Sequence, residues 1–167
     1  MPRKDDIRMS QDEIRAYLRE GHTATFVTNG PRGYPHAVAM FFAVDEDLSI
    51  RFATYARSQK VKNIERDPRV TLLIETGTAY RELRGVMLEG AAEITTDLEQ
   101  TVATMIEANA GTGSPLPDLD QIPDDVKLKM AAKRVLVRVR PTRFVSWDHS
   151  KLPSDKTPEA LRRQSIV

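Results

Sequence analysis

Apolar and polar residues alternate with two different periods along the chain, and the period changes near residue 22. In residues 10–20, Ile14 and Leu18 repeat at the i, i+4 spacing of an amphipathic helix. Ser10 and Glu13 have the spacing of a capping box, in which each side chain bonds the other residue's backbone. From residue 23 onward, β-branched and aromatic residues predominate, as they do in strands. The pattern therefore predicts one N-terminal helix followed by a β-rich region.

The β-rich region is divided into short apolar segments by turn residues and by three further helical segments. Strands are predicted at residues 23–28, 34–44, 48–54, 70–75, 83–95, 134–141 and 142–147. Helices are predicted at 58–67, 97–108 and 124–132, with a Gly- and Pro-rich loop at 109–123. Gly85 and Gly90 lie inside a long strand, where they are predicted to mark bends or close approaches. Because short turns join most strands, the predicted fold is mainly β (α+β): an antiparallel barrel of six to seven strands with peripheral helices.

Length and composition indicate a single domain. The 167 residues suffice for a substantial core, and no apolar run reaches the roughly 20 residues of a membrane span. The charged N-terminus lacks the apolar centre of a secretory signal, and the absence of cysteine excludes disulfides and thiolate chemistry. We therefore predict one cytoplasmic domain, without a membrane partner, over residues 1–167. It is predicted to consist of a helical segment 8–21, a barrel 22–147 and a loosely held polar tail 148–167.

Basic and acidic residues are nearly balanced, with 25 Lys and Arg against 24 Asp and Glu and a formal net charge of +1. A nucleic-acid-binding protein normally gathers a basic excess on one face or tail. No nucleic-acid partner is therefore predicted. Only residues 57–62 are locally basic, and so short a segment suits one small anion better than a polymer.

The residues that most often carry metal or nucleophilic chemistry form no recognisable constellation. His22, His36 and His149 lie far apart and match no zinc or iron spacing, so no metal site is predicted. His36, at the start of a strand, either touches a substrate or is an ordinary residue at a strand end. No Ser or Thr lies in a nucleophile elbow, so acyl transfer is not predicted.

A cluster of hydroxyl-bearing and basic residues opens the helix predicted at 58–67, directly after a strand. Its members are Thr54, Arg57, Ser58, Lys60 and Lys62. One interpretation is structural: Ser58 is an N-cap, and the basic residues lie on a solvated helix face. The other is an anion site, since a helix N-terminus has unpaired N–H groups and a partial positive charge. Spacing alone does not decide between them, because no glycine-rich phosphate signature accompanies the cluster.

Three stretches of the chain, taken in order, resemble a known family. They are GYPHAVAMFFAVDEDLSIRFATYARSQKVKNIERDPRVTLLIE, LRGVMLEGAAEI and VRVRPTRFVSW. In this order and with these gaps, residues 23–147 resemble the pyridoxamine 5'-phosphate oxidase-like family, whose members are split β-barrels that bind a flavin or a deazaflavin. The resemblance implies a homodimer with two cofactors, each in a groove between the subunits.

The resemblance also implies which residues hold the cofactor. In the family, one strand runs its backbone along the cofactor ring, and its counterpart here is Val38, Ala39, Met40 and Phe41. Backbone N–H and C=O groups can serve the donors and acceptors of a flavin's pyrimidine edge, although the same stretch also reads as an ordinary buried strand. The cofactor phosphate lies at the end of the third strand and the start of the next helix. The counterparts there are Ala53, Thr54, Ser58, Gln59 and Lys60.

Departures from the vitamin B6 oxidases of the family concern the substrate. Gln59 stands where those enzymes have Arg, and Gly85 stands where they have Gln. The C-terminal sequence SWDHSKL lacks their Arg-Leu-His run. Trp147 does match a Trp that reaches the neighbouring subunit's cofactor, although core packing also accounts for a Trp. The resemblance therefore implies a cofactor site that includes Gly85 and Trp147, but not a B6 substrate site.

The run Lys60–Ile64, KVKNI, bears on the choice of cofactor. It resembles a Lys-x-Arg-Asn-Leu run of actinobacterial relatives, many of which bind the deazaflavin F420 in place of FMN. The polyanionic tail of F420 could meet Arg57, Lys62 and Arg66, or these could be solvent-facing helix charges. The resemblance favours F420 over FMN on this run alone.

The function that the resemblance implies is an F420- or FMN-dependent oxidoreductase, which transfers a hydride between the cofactor and a small unsaturated or quinone-like acceptor. No catalytic residue is predicted, because the cofactor carries the chemistry and the protein supplies binding and orientation. The alternative is a non-catalytic protein of the same fold that binds or senses a flavin or heme. The loop at 109–123 is predicted to be either a lid over the groove or a surface connection.

Overall fold

The computed structural model of the protein describes residues 4–110 and 115–153. Its α-helices are α1 Gln11–Glu20, α2 Gln59–Arg66, α3 Leu98–Ala110 and α4 Asp124–Ala131. Its strands are β1 Thr23–Asn29, β2 Pro35–Phe41, β3 Ala43–Val44, β4 Ile50–Tyr55, β5 Arg69–Thr76, β6 Arg84–Thr95 and β7 Arg134–Asp148. Short 3-10 turns lie at Lys4–Ile7, Tyr80–Glu82, Leu119–Gln121 and His149–Lys151.

The predicted helices and strands are present, with small shifts at their ends. The capping box of α1 is confirmed, because Glu13 N donates to Ser10 Oγ at 3.2 Å and Ser10 N donates to Glu13 Oε2 at 2.6 Å. Two strand predictions are corrected. The segment 34–44 is divided at Phe42 into β2 and β3, whereas the two segments predicted at 134–147 form one long strand, β7.

The seven strands form one antiparallel sheet in the order β2-β1-β5-β6-β7-β4-β3. Strands β2 and β3 lie at opposite edges of this sheet, yet only Phe42 separates them in sequence. One residue spans less than 4 Å of chain, so the sheet must curl until the end of β2 lies next to the start of β3. The prediction of a mainly β, antiparallel barrel fold is confirmed as a curled half-barrel.

The core fills the inner face of the curled sheet. Phe26 of β1 and Phe52 of β4 meet edge to face with ring centroids 4.6 Å apart, and both are fully buried. Ile14 and Leu18 of α1 join the same cluster. The alternation of buried and exposed residues along β1 and β4 follows from the period of two in a strand.

Helix α3 covers the outer face of β4 and the first half of β7. Arg51 of β4 connects the two layers: its guanidinium donates to Asp45 Oδ1 at 2.5 Å, to Thr104 Oγ1 at 2.5 Å and to Glu107 Oε2 at 2.6 Å. Thr104 and Glu107 belong to α3, so this ion-pair cluster fixes the helix on the sheet.

The two glycines of β6 are confirmed as points of close approach. A Cβ atom at Gly90 would lie 2.4 Å from the carbonyl oxygen of Arg140, next to a register shift between β6 and β7. A Cβ atom at Gly85 would lie 2.2 Å from Cζ2 of Trp147, its cross-strand partner. The Trp147 ring therefore rests directly on the backbone of Gly85.

The C-terminal segment departs from its prediction. Leu152 is only 2% exposed, and its carbonyl accepts from Arg81 Nη2 at 2.6 Å. Lys151 Nζ pairs with Glu13 at 2.7 Å, which lowers the pKa of that carboxyl to about 2. A loosely held tail beginning at residue 148 is therefore wrong for 148–152, while residues 154–167 lie outside the described ones. Of the predicted loop at 109–123, residues 111–114 also lie outside them.

Candidate functional site

The N-terminus of α2 follows directly from the end of β4. Ser58 N donates to the carbonyl of Tyr55 at 3.0 Å, which closes a tight turn between the two elements. Ser58 is the N-cap, with extended backbone (φ −68°, ψ 155°), and the first turn of α2 contains no acidic residue. The helix ends at Arg66, before Asp67 and Pro68, because the residue before proline disfavours helical geometry.

The Ser58 hydroxyl does not cap its helix. Its Oγ is buried and makes no hydrogen bond to any of the described residues. The corresponding serine of α1, Ser10, makes the usual bond to its third helical residue. A buried hydroxyl without a partner costs free energy. A ligand oxygen that accepts a hydrogen bond from the Ser58 hydroxyl would remove that cost.

Lys60 lies in the first turn of the same helix and is half-buried. Within residues 4–110 and 115–153 it forms neither an ion pair nor a hydrogen bond. Partial burial without a counter-charge lowers the pKa of its amine below the ordinary lysine value. An anion bound here would repay that desolvation. Thr54, on the inner face of β4 just before the turn, is also buried.

These groups fit a phosphate. Helix N–H groups, a lysine ammonium and two hydroxyls are the donors that phosphate oxygens accept from, and the helix N-terminus adds its partial positive charge. Thr54 near the end of β4, the N-cap Ser58 and Lys60 in the first turn of α2 lie on one strand–turn–helix segment. The structure places Ala53 on the opposite face of β4, where Ala53 pairs with the buried Leu136.

Gln59 and Arg66 are both directed away from that turn. Gln59 Nε2 donates to Asn63 Oδ1 at 2.8 Å. Arg66 donates to the carbonyl of Asn29 at the end of β1. Arg66 is therefore bonded to the end of β1, although it is exposed like Arg57 and Lys62, the other two residues considered for an anionic tail.

A basic cavity adjoins the same turn. It has a volume of about 440 Å³ and is lined by Tyr55, Ala56, Arg57 and Lys133. Ala56 N donates to the carbonyl of Lys133 at 2.9 Å, and the guanidinium of Arg134 lies 4.7 Å from the centroid of the Tyr55 ring. Sequence reasoning missed Lys133, because only the pairing of Tyr55 with Arg134 brings it to this place.

Strand β2, which contains the residues expected along the cofactor ring, is an edge strand. It pairs with β1 on one side, and the other side is the edge of the sheet. An edge strand presents unpaired N–H and C=O groups, which is what contact with a flavin's pyrimidine edge requires. Val38 and Met40 pack toward the core, whereas Ala39 and Phe41 are exposed on the outer face. The Nδ1 atom of His36, at the start of β2, is buried without a hydrogen-bond partner among the described residues.

Trp147 lies at a second cavity, of about 480 Å³, near the far end of β7. The cavity is lined by Ile7, Arg8, Arg143, Phe144, Val145, Ser146, Trp147 and His149. Its lining combines aromatic and aliphatic side chains with two arginines. The Trp147 ring lies against the backbone of Gly85, so the missing side chain of Gly85 makes room for a tryptophan of the same chain.

Within residues 4–110 and 115–153, no group of three or more His, Asp or Glu side chains is placed to hold a metal ion. None of the helices of residues 4–110 and 115–153 is long and apolar enough to cross a membrane.

The sequence model of the family described as pyridoxamine 5'-phosphate oxidase matches residues 10–148. The chain belongs to this family. The match includes α1, the turn before α2 and all seven strands, so the family resemblance seen in the sequence is confirmed. No curated protein matches the chain significantly.

Several solved structures are similar to this chain over most of its length. A conserved hypothetical protein from Mycobacterium tuberculosis is 37% identical with a TM-score of 0.77, over 95% of this chain and 98% of that one. An F420 reductase is 29% identical with a TM-score of 0.58, over 78% of this chain and 94% of that one. HutZ, the heme storage protein from Vibrio cholerae, is 14% identical with a TM-score of 0.61, over 84% and 97%. At 14% identity the likeness concerns the fold alone.

Proposed function

We propose that this member of the pyridoxamine 5'-phosphate oxidase family is an oxidoreductase that uses F420 or FMN to transfer a hydride to or from a small unsaturated or quinone-like acceptor. The observation that carries the proposal is the turn before α2, where the Ser58 hydroxyl and Lys60 have no partner among the described residues. When bound, the cofactor supplies the hydride chemistry at its ring. The chain holds the phosphate with Thr54, Ser58 and Lys60, and it orients the ring along the edge of β2.

F420 is favoured over FMN by the basic cavity beside the phosphate anchor. Arg57 and Lys133 line that cavity, and an anionic tail that extends from the phosphate would meet both. The likeness to an F420 reductase at 29% identity supports the same choice. Replacing Arg57 and Lys133 together by Gln should weaken F420 binding while leaving FMN binding unchanged. Equal losses for both cofactors would contradict the tail assignment.

A second copy of the chain is proposed to complete the groove. A row of uncharged side chains crosses five strands on the outer face that α3 leaves uncovered: Ala39, Thr25, Leu73, Met87 and Val145. Phe41, in the next row, is 56% exposed. Leu73, Met87 and Val145 are half-buried, and an uncharged row of this kind would suit an interface between two copies of the chain. Light scattering after size exclusion should give a dimer, and Met87→Lys should give a monomer. A wild-type monomer at micromolar concentration would refute the shared groove.

The only tryptophan of the chain provides a direct signal of binding. Trp147 is proposed to lie against the acceptor and the partner's cofactor, in the cavity of about 480 Å³. Its fluorescence should therefore be quenched as cofactor is added. Unchanged fluorescence, with binding confirmed by calorimetry, would place the ring elsewhere.

The class of activity is tested by spectroscopy of the protein as purified, followed by each reduced cofactor and a panel of small quinones. The proposal predicts reoxidation of the reduced cofactor in the presence of a quinone. A Soret band, or tight cofactor binding without turnover, would instead indicate a non-catalytic heme or flavin binder. Reoxidation of reduced F420 but not of reduced FMN would identify the cofactor as well.

A further inference from the structure

A buried amide on α2 connects the two parts of the proposed cofactor groove. Asn63 is fully buried and follows Lys60 by three residues, which places both on the same side of the helix. Its Nδ2 donates to Thr28 Oγ1 of β1 at 2.9 Å. Its Oδ1 accepts from Gln59 Nε2 at 2.8 Å and, more weakly, from Arg66 Nη2 at 3.4 Å.

The connection continues from β1 to β2. Thr28 is only 1% exposed, and its hydroxyl donates to the carbonyl of His36, its cross-strand partner, in a long hydrogen bond of 3.5 Å. All donors run in one direction, because the Thr28 hydroxyl accepts from Asn63 and donates to His36. His36 precedes Val38 by two residues. The path therefore leads from the first turn of α2 to the start of the strand proposed to follow the ring.

Packing alone does not call for an amide at this position. Burying a polar side chain costs free energy that an apolar one would not, even when its hydrogen bonds are made. Hydrogen bonds have a fixed length and direction, whereas apolar contacts allow a helix to slide or rotate. Asn63 thus stabilises the protein less than an apolar residue would, but its hydrogen bonds define the position of α2 against β1 and β2.

We infer that Asn63, acting through Thr28, is a positioning residue that sets the spacing between the phosphate anchor on α2 and the ring strand β2. The inference rests on the proposed function, in which one cofactor spans both parts. A rigid ligand gains from both contacts only if the spacing is held to a fraction of an ångström. If α2 were not held in position, the ring would still bind to β2, but the phosphate would no longer contribute to the affinity.

The test compares the affinities of FMN and riboflavin, which share the ring and differ in the phosphate; for F420 the matching pair is the coenzyme and its phosphate-free chromophore. The dissociation constant of riboflavin divided by that of FMN measures the contribution of the phosphate to binding. In Asn63→Leu and in the isosteric Thr28→Val, the ratio should fall about tenfold, with riboflavin affinity unchanged. Thr28→Ser keeps the hydroxyl and should keep the wild-type ratio.

Ile64→Ala is the matched control, because Ile64 is buried on the same helix outside the hydrogen-bonded path. It should lower the melting temperature and leave the ratio unchanged. Should Asn63→Leu fail to fold, Thr28→Val carries the test. A wild-type ratio in Thr28→Val would overturn the inference and leave the proposed function standing. A wild-type protein that binds neither cofactor would overturn both.

Discussion

Two polar regions of the molecule, each partly buried, differ in how their groups are satisfied. Under α3, Arg51 binds Asp45, Thr104 and Glu107 at 2.5 to 2.6 Å. At the N-terminus of α2, the Ser58 hydroxyl and the Lys60 ammonium find no partner in the described part of the chain. Both regions lie where a helix meets the sheet, so burial alone does not distinguish them.

The difference supports the proposal that the Arg51 cluster is structural and that the turn before α2 binds a ligand. Buried polar groups in folded proteins are nearly always hydrogen-bonded, because an unmade bond costs more than a made bond contributes. Each nitrogen of the Arg51 guanidinium has a partner, and two of the three partners belong to α3. In the turn before α2, the proposed anion would supply the partner that Ser58 and Lys60 lack among the described residues.

The largest expected effect is the loss of stability when the Arg51 cluster is broken. Arg51→Met removes a cation that faces two carboxylates, and breaking such a buried cluster typically costs about 3 kcal/mol. Urea unfolding should show this loss, while cofactor affinity of the folded variant stays at the wild-type value. Arg69→Met is the control, since Arg69 pairs with Asp67 at the surface, with 82% of its side chain exposed, and should change stability little. A loss of cofactor affinity in Arg51→Met would contradict the assignment of its cluster to structure alone.

A smaller effect separates the two serine N-caps. Ser10→Ala removes a hydroxyl that caps α1 and should cost about 1 kcal/mol of stability, with no change in cofactor binding. Ser58→Ala removes a hydroxyl that makes no cap bond, so thermal unfolding should be nearly unchanged while cofactor affinity falls several-fold. The reverse outcome, lost stability with intact binding, would make Ser58 an ordinary cap.

The last of these effects is a pH dependence of binding. Burial lowers the pKa of Lys60 in the free protein, so its amine loses its charge at a lower pH than an ordinary lysine. FMN affinity should therefore fall as the pH rises through that lowered pKa, because the neutral amine no longer attracts the phosphate. In Lys60→Arg the charge persists at alkaline pH, and the decline should disappear. A decline of the same size in Lys60→Arg would assign it to another group.

Local sequence signals were sufficient for most elements of the fold. The capping box placed the start of α1, and β-formers placed the strands, because both signals act over a few neighbouring residues. The break at Phe42 was not predictable in this way, since residues 37–44 are all apolar in sequence while the chain passes from one sheet edge to the other. The packing of Leu152 also depends on distant partners, such as Arg81.

The residues of the candidate site also fall into those that are close in sequence and those that only the fold brings together. Thr54, Ser58 and Lys60 lie within seven residues of sequence, and the family resemblance was enough to group them. Lys133 comes to line the cavity beside Arg57 only because β4 pairs with β7. The bond from Asn63 to Thr28 joins residues that lie 35 apart in sequence, which no local pattern reveals.

The central claim is that the turn before α2 holds the phosphate of a flavin or deazaflavin cofactor. Calorimetric titration of wild type and Lys60→Ala with FMN and F420 tests it most directly, with riboflavin as the phosphate-free reference. Loss of one charge-assisted partner should weaken the phosphate-bearing cofactor that binds by about ten- to a hundredfold and leave riboflavin unaffected. Equal affinity of wild type and Lys60→Ala for that cofactor would contradict the claim.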